Sequence, residues 1–445
     1  MRNPASGAPT FERCGVVAWA LWDCGATGLN AIVVTFVFSV YLTGSVGQGM
    51  QGGSSPASWL GRALAVAGLT IATLAPVVGV WAEAPNRRRA VLTVLTGLAV
   101  LLTGAMSLIR NQPGYLWAGL ALLAGTAACS DLASVPYNAM LRQLSTPRTS
   151  GRISGLGLAS GYVGSVALLL VMYTGFVAGH GDTRGLLNLP TSGGTNIRVA
   201  MLVAAGWLAL LALPLLLTAH RLPAAEPSHP TADVLGGYRR LWRDLRDEWR
   251  RDHNLVYFLL ASAVFRDGLA GVFTFGAVLG VNVYGISQAD VLIFGVAASV
   301  VAALGAVAGG HFDDRIGSKP VIVASLVAII TMALTLLMLS GPRAFWLCGL
   351  LLCVFIGPAQ SSARTLLLRM SSPGMEGVAF GLYTMTGRAV SFLAPWLFSV
   401  FVDVFGAIRA GLGGLCVVLG AGLLAMVMVR TPARHDTVEL PQSAA

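Results

Sequence analysis

The sequence predicts an all-α integral membrane protein of twelve transmembrane helices, arranged as two pseudo-symmetric six-helix bundles. Three observations lead there. The 445-residue chain is 55% hydrophobic and only 11% charged, with a mean hydropathy of +0.74, whereas soluble domains carry roughly 25% charged residues. Twelve apolar runs are long enough to cross a hydrocarbon core about 30 Å thick, which takes about 20 helical residues. Motifs of the first half of the chain also recur in the second at nearly constant offsets.

The runs cover approximately residues 16–43, 59–82, 89–109, 115–141, 152–179 and 197–218, then 254–281, 290–312, 319–340, 344–369, 376–403 and 407–429. The longest connection separates six from six, so the expected domains are a first bundle over 1–218, a linker over 219–253, a second bundle over 254–430 and a tail over 431–445. The linker opens Pro-rich and then places Val234, Tyr238, Leu241, Trp242, Leu245 and Trp249 at helical spacing among arginines. That pattern predicts an amphipathic helix on the membrane surface, either anchoring the two halves or sensing anionic lipid. The stretch "HGDTRGLLNLPTSGGTN" shows no periodicity and reads as a plain flexible connection.

The formal charge is +10, and all but one of the 29 basic residues are arginine. With both termini on one side, the connections and ends on that side carry 21 Lys and Arg, and the opposite side carries six. Arg266 and Arg388 lie within spans. This asymmetry accounts for the basic surplus without nucleic acid and predicts cytoplasmic termini, in a bacterial cytoplasmic membrane. The first apolar run is too long for a cleaved signal and should remain a membrane helix. Six cysteines without ligand spacing read as free thiols packed among apolar side chains. No metal site, cofactor or enzymatic activity is expected, and the absence of a GxxxxGK[ST] loop argues against direct ATP drive. A monomer is expected.

The repeats are specific. Ser145, Pro147, Gly151, Gly155 and Leu156 recur at an offset of 226 as Ser371, Pro373, Gly377, Gly381 and Leu382, and Gly161 recurs as Gly387. "GVWAEAPNRR" (79–88) aligns with "GHFDDRIGSK" (310–319), placing Gly79 over Gly310, Glu83 over Asp314 and Arg88 over Lys319. Asp23 aligns with Asp267. Two related six-helix halves are the mark of a secondary transporter with a solute site near the midplane between them. The repeated glycines read as close-packing points between helices.

The second copy, with Gly310, Asp314, Arg315, Gly317 and Lys319, resembles the G-x-x-x-D-R-x-G-R-K loop motif of the major facilitator superfamily. The first copy, with Gly79, Glu83, Arg87 and Arg88, is degenerate. Three stretches are similar to the branch holding the fungal autophagy-related vacuolar amino-acid effluxers and the bacterial "unknown major facilitator" proteins: "WALWDCGATGLNAIVVTFVFSVYLT", "SGRISGLGLASGYVGS" and "GPAQSSARTLLLRMSSPGMEGVAFGLYTMTGRAVSFLAP". The resemblance implies the major facilitator fold, with the first, fourth, seventh and tenth helices lining the central cavity. It implies amino-acid export for the fungal members and leaves the bacterial solute open.

The buried polar residues fall on those helices: Asp23 and Asn30, then Asp131, Tyr137 and Asn138, then Arg266 and Asp267, then Gln360 and Arg364. Asp23 and Asn30 are seven residues apart, as are Asp131 and Asn138, so each pair shares a helical face. With Arg388 on the eleventh span, three acids balance three arginines. A charge at membrane depth costs roughly 2.5–3.5 kcal/mol or more. The acids and arginines therefore form either a structural ion-pair network or a set in which one acid exchanges its arginine for a proton. Arg388 is a candidate partner of Asp23 or Asp267, and Arg364 sits close enough to a helix end to snorkel. Asp314 is placed to accept from helix-end amides or from an arginine of the other half, holding the cytoplasmic side shut.

The leading reading is a proton-linked secondary transporter of a small polar solute, amino acids favoured, working by alternating access in contact with membrane lipid. Trp19, Trp22 and Phe36 near the first-helix acid allow efflux of drugs or amphipathic compounds as an alternative. The linker allows a non-transporting sensor or lipid-handling scaffold. Topology provides the first test. Reporter fusions in 44–58, 180–196 and 282–289 should lie outside, and those in 85–88, 219–253 and 313–319 inside; an odd number of crossings would refute the fold.

Overall fold

The computed structural model describes residues 8–47, 55–83, 85–179, 182–218 and 253–430. The expected linker helix and the tail lie outside the described residues. Twelve helices are long and apolar enough to span a membrane: α1 (Cys14–Val46), α2 (Pro56–Trp81), α3 (Arg87–Leu108), α4 (Pro113–Ala139), α5 (Ser150–Val177) and α6 (Ser192–Thr218), then α7 (Asn254–Asn282), α8 (Ile293–Ile316), α9 (Ser318–Met338), α10 (Pro342–Met370), α11 (Glu376–Phe405) and α12 (Ala410–Met428). Each falls within a few residues of its expected run. The main shift is at α8, which continues to Ile316 and carries Asp313 and Asp314 on its last turn. The motif read as a loop is therefore mostly helix end.

Local chemistry sets the boundaries. The Ser55 hydroxyl accepts from the Ser58 amide at 3.2 Å at the start of α2, with Pro56 in the first turn. Gly317, at φ 98°, ends α8 and turns the chain straight into α9; Gly406, at φ 64°, closes α11. Two spans are irregular. α1 winds into π-helix over Ala31–Phe36 and Leu42–Val46, and α11 consists of two segments, Glu376–Val390 and Leu393–Phe405. The connection expected to be featureless contains a two-residue antiparallel ladder, Thr183–Arg184 with Leu189–Pro190. Backbone pairing does not need side-chain periodicity, which is why the sequence pattern misses it.

The two halves pack alike. In the first, α1 lies on α5 and α6, α4 on α2 and α3, and α3 on α6; the second repeats each contact, with α7 on α11 and α12, α10 on α8 and α9, and α9 on α12. Between the halves, α2 meets α11 and α5 meets α8. Both contacts are made by bare glycine. A Cβ on Gly79 would lie 2.4 Å from the Gly377 carbonyl oxygen, and one on Gly377 would lie 2.2 Å from that of Gly79. Gly310 and Gly151 face one another in the same way, at 2.4 and 2.6 Å. One turn deeper, Gly381 sits against the Ala75 oxygen and Gly155 against that of Ala306, at 2.6 and 2.3 Å. The glycines of the 226-residue repeat thus set the inter-half contact in both copies, letting backbones approach where any side chain would hold them apart.

These contacts lie at the arginine-rich end of the molecule and close it. Gly155→Val should force α5 and α8 apart there. In a cysteine-free background, maleimide labelling of a Ser154→Cys probe, a position fully buried in the closed arrangement, should rise severalfold. Unchanged labelling in folded protein would show that the contact does not hold this end shut.

Candidate functional site

Against the glycine contacts, helix ends bring carboxylates and arginines of opposite halves together. Asp314, at the end of α8, accepts from the Gly151 amide at 2.8 Å, the Arg152 amide at 3.1 Å and the Arg152 Nε at 3.0 Å. The two amides belong to the first turn of α5, where a carboxylate meets both free N–H groups and the positive end of the helix dipole. Arg369, at the end of α10, donates to Asp313 at 2.6 Å and to the Ser150 hydroxyl at 3.1 Å, and lies 3.5 Å from Asp314. The reciprocal set is built differently. Glu376, on α11 itself, accepts from the Gly374 amide at 3.0 Å and pairs with Arg142 at 2.5 Å and Arg88 at 3.5 Å. Arg142 also donates to the Leu368 and Ser371 carbonyls at 2.5 and 2.6 Å.

Several motif residues take other places than the alignment implies. Glu83 is buried at the end of α2, and its backbone oxygen accepts from Arg88 at 3.3 Å; the described ion pairs of this interface go to Glu376 instead. Arg87 and Arg315 are exposed. Lys319 caps the last turn of α12, donating to the Val427 and Val429 oxygens at 2.8 and 2.6 Å. Its spatial counterpart is Arg89, which donates to the Leu216 oxygen of α6 at 3.1 Å, rather than Arg88. Asp313, Arg142, Arg369 and Glu376 were not among the site candidates, because three look like surface charge and the fourth lies beside another acid. Burial at 1% for Asp313 and 3% for Glu376 separates them from solvated charge.

Beyond this end lies a cavity of about 360 Å³ between the halves. Its wall includes Asp131, Ser134 and Asn138 of α4, Arg266, Asp267 and Ala270 of α7, Gln360 and Arg364 of α10, and Tyr383, Thr384, Gly387, Arg388 and Ser391 of α11. Seven of the ten expected cavity residues are there. α11 contributes more than expected and α1 less: Asp23 sits beneath the wall, Asn30 lies where α1 passes into π-helix, and Tyr137 is 1% exposed and stacked on Trp19 and Trp22 with ring centroids 4.5 and 4.3 Å away.

Two ion pairs join the halves around the cavity. Asp131 pairs with Arg388 at its wall. Asp23 pairs with Arg364 at 3.5 Å and accepts from the Thr27 hydroxyl at 3.0 Å. Arg364 therefore turns inward instead of snorkelling, and Arg388 serves Asp131 rather than Asp23 or Asp267. Asp267 caps the second segment of α11, accepting from the Ala394 amide at 2.6 Å. The guanidinium of Arg266 lies 3.7 Å from the Tyr383 ring centroid and donates to the Tyr383 oxygen at 3.1 Å. The repeat glycines make room for these groups: Gly161 lies against Thr27 and Asp23, and Gly387 against Arg266. Among the described residues, no ion pair joins the halves between Asp131–Arg388 and the end opposite the arginine-rich one, and no cluster of three or more His, Cys, Asp or Glu is placed to hold a metal ion.

Asp314→Asn keeps the shape of the α5 contact and removes its charge. The closed arginine-rich end should lose about 1 kcal/mol, roughly fivefold in the open-to-closed ratio. Spin-label distances between the ends of α5 and α8 would read this as a larger long-distance population; an unchanged distribution would show that the carboxylate does not hold the contact.

Comparison with known proteins bears on both the fold and the family. The solved chains similar to this one include FucP, a major facilitator superfamily transporter in the outward conformation, with a TM-score of 0.73 at 14% identity over 96% of this chain and 99% of that one. The proton:xylose symporter XylE aligns with a TM-score of 0.69 at 13% identity, over 95% of this chain and 96% of that one. The chain is 21% identical over 414 residues to the uncharacterized MFS-type transporter YxiO of Bacillus subtilis (strain 168), covering 93% of this chain and 94% of the relative. It is 24% identical over 300 residues to autophagy-related protein 22-1 of Aspergillus fumigatus, covering 63% of this chain and about half, 48%, of that longer protein. The profile of the family described as "Vacuole effluxer Atg22 like" matches residues 55–437. With twelve spans in the major facilitator arrangement and a match over most of its length, the chain belongs to the Atg22-like family of major facilitator superfamily transporters, which are not enzymes.

Proposed function

We propose that this transporter moves a small polar solute, amino acids favoured, by proton-linked alternating access across a bacterial cytoplasmic membrane, with both termini in the cytoplasm. The observation that carries the reading is the pair of carboxylate–arginine bridges, Asp23–Arg364 and Asp131–Arg388, each with one partner on either half. A cavity between the halves cannot open toward the arginine-rich end while both bridges stand. Parting the Asp23–Arg364 bridge, the more buried of the two, strands a charge at roughly 3–5 kcal/mol. A proton on the carboxylate removes its share of that cost, so protonation and opening are linked through the same group. The glycine contacts and the Asp314 cap then act as the cytoplasmic gate.

Cavity size and lining support a small polar solute. About 360 Å³ lies at the low end of the roughly 300–1,000 Å³ usual for ligand pockets, and eleven of the named wall residues carry polar or charged side chains. Of the aromatics that allowed amphipathic efflux, Trp19 and Trp22 do not favour it, since they are buried on Tyr137 inside the first half, while Phe36 is exposed and not part of the named cavity wall. The orientation rests on the arginine asymmetry, and the bacterial setting on the match along nearly the whole length of the Bacillus relative.

Asp23→Asn mimics the protonated acid. In proteoliposomes the variant should keep solute exchange and lose accumulation driven by a pH gradient. If the bridge is only structural, the same change should strand Arg364 and lower the melting temperature, and Asp23→Asn with Arg364→Gln should restore both fold and accumulation. A stable single variant that still accumulates solute would exclude Asp23 as the proton carrier.

A further inference from the structure

Three arginines line the cavity, and their charges are answered unequally. Arg388 has Asp131 and Arg364 has Asp23. The other wall acid, Asp267, directs its carboxylate to the Ala394 amide. Among the described residues Arg266 makes no ion pair; its described contacts are the Tyr383 ring and the Tyr383 carbonyl. A cation–π contact compensates part of a desolvated charge, and one carbonyl satisfies one of five donors. Gly387 packs against the guanidinium, where a Cβ would stand 3.1–3.3 Å from its nitrogens and central carbon. The group therefore rests against a ring and a bare backbone, in the wall of the cavity. On the other half, Asn138 lines the same cavity with a buried Oδ1 that has no hydrogen-bond partner among the described residues.

We infer that Arg266 receives a carboxylate of the solute and Asn138 accepts from a hydrogen-bond donor on that same solute, so that the solute bridges the two halves. This rests on the small-polar-solute reading above and narrows it to carboxylates, among which α-amino acids carry both groups. A planar guanidinium resting against a ring offers its remaining N–H groups as a fork that matches a carboxylate with two parallel hydrogen bonds. An ammonium in its place keeps the charge and loses the fork. Arg388 and Arg364 are less suited, because each must first give up an aspartate.

The test uses purified full-length protein and thermal shift. The probes are the proteinogenic amino acids and small carboxylates such as lactate and succinate. Each amino acid that binds is followed by its amino alcohol and by the matching acid without the amine. Carboxylated probes should raise the melting temperature and the amino alcohols should not. Arg266→Lys should weaken binding roughly tenfold or more, and Arg266→Gln should abolish it. Asn138→Ala should weaken amino acids while sparing the acids without the amine. If Arg266→Gln does not fold, the lysine variant and the wild-type analogue series decide. The assignment is overturned if no carboxylate binds, if amino alcohols bind as well as their acids, or if Arg266→Lys binds within about twofold of wild type. Flux of an uncharged polar solute in proteoliposomes would then leave the transport reading standing without it; no flux of any solute would end both.

Discussion

The close approach of four helix backbones at the arginine-rich end is the constraint on which the other features depend. Helices packed through ordinary side chains lie 8–10 Å apart, and at that separation an Asp side chain at the end of α8 would not reach the first amides of α5. Gly79, Gly377, Gly151 and Gly310 remove the side chains at the crossing, so each backbone rests on the carbonyl of the other half. Asp314 can then reach two amides across the interface, and Arg369 can span from Asp313 to Ser150. The glycines supply proximity and the charges supply selectivity for one arrangement. Neither suffices alone, since charges on a partly wet surface are worth little without enforced geometry.

Symmetry of the backbone does not oblige symmetry of the charges. In one crossing the acid comes from a helix of the other half, as Asp314 at the end of α8 caps α5. In the other the acid is Glu376, carried by the capped helix, and two arginines of the first half come to it. Asp314 satisfies free amides at the start of α5, while Glu376 holds the Gly374 amide just ahead of α11.

The fold was almost fully legible. Span lengths follow from hydrophobic thickness, and the 226-residue recurrence marks the glycines that meet across the interface. The site was legible in composition but not in pairing. Seven of ten expected residues line the cavity, because a polar residue in an apolar run has few places to go. Which acid meets which arginine depends on contacts between residues 341 and 257 positions apart, Asp23 with Arg364 and Asp131 with Arg388, and no periodicity encodes those. The break in α11 was likewise hidden. Ser391 and Phe392 are unremarkable in sequence, yet the break exposes the amide that holds Asp267.

That break changes what the repeat means for the two aligned acids. Asp23 faces a mobile cation on the other half, so its charge is answered only while the halves stand in this arrangement. Asp267 faces an amide of α11 in its own half, and that partner travels with it when one half rocks against the other. Two residues at equivalent positions are thus tied differently to the same motion: the ion pair of Asp23 parts as the interface opens, and the amide contact of Asp267 does not. A rigid-body movement can be driven by a proton only through a group whose environment it alters. The geometry therefore separates the first-half acid from its repeat partner as the one able to sense the state of the interface.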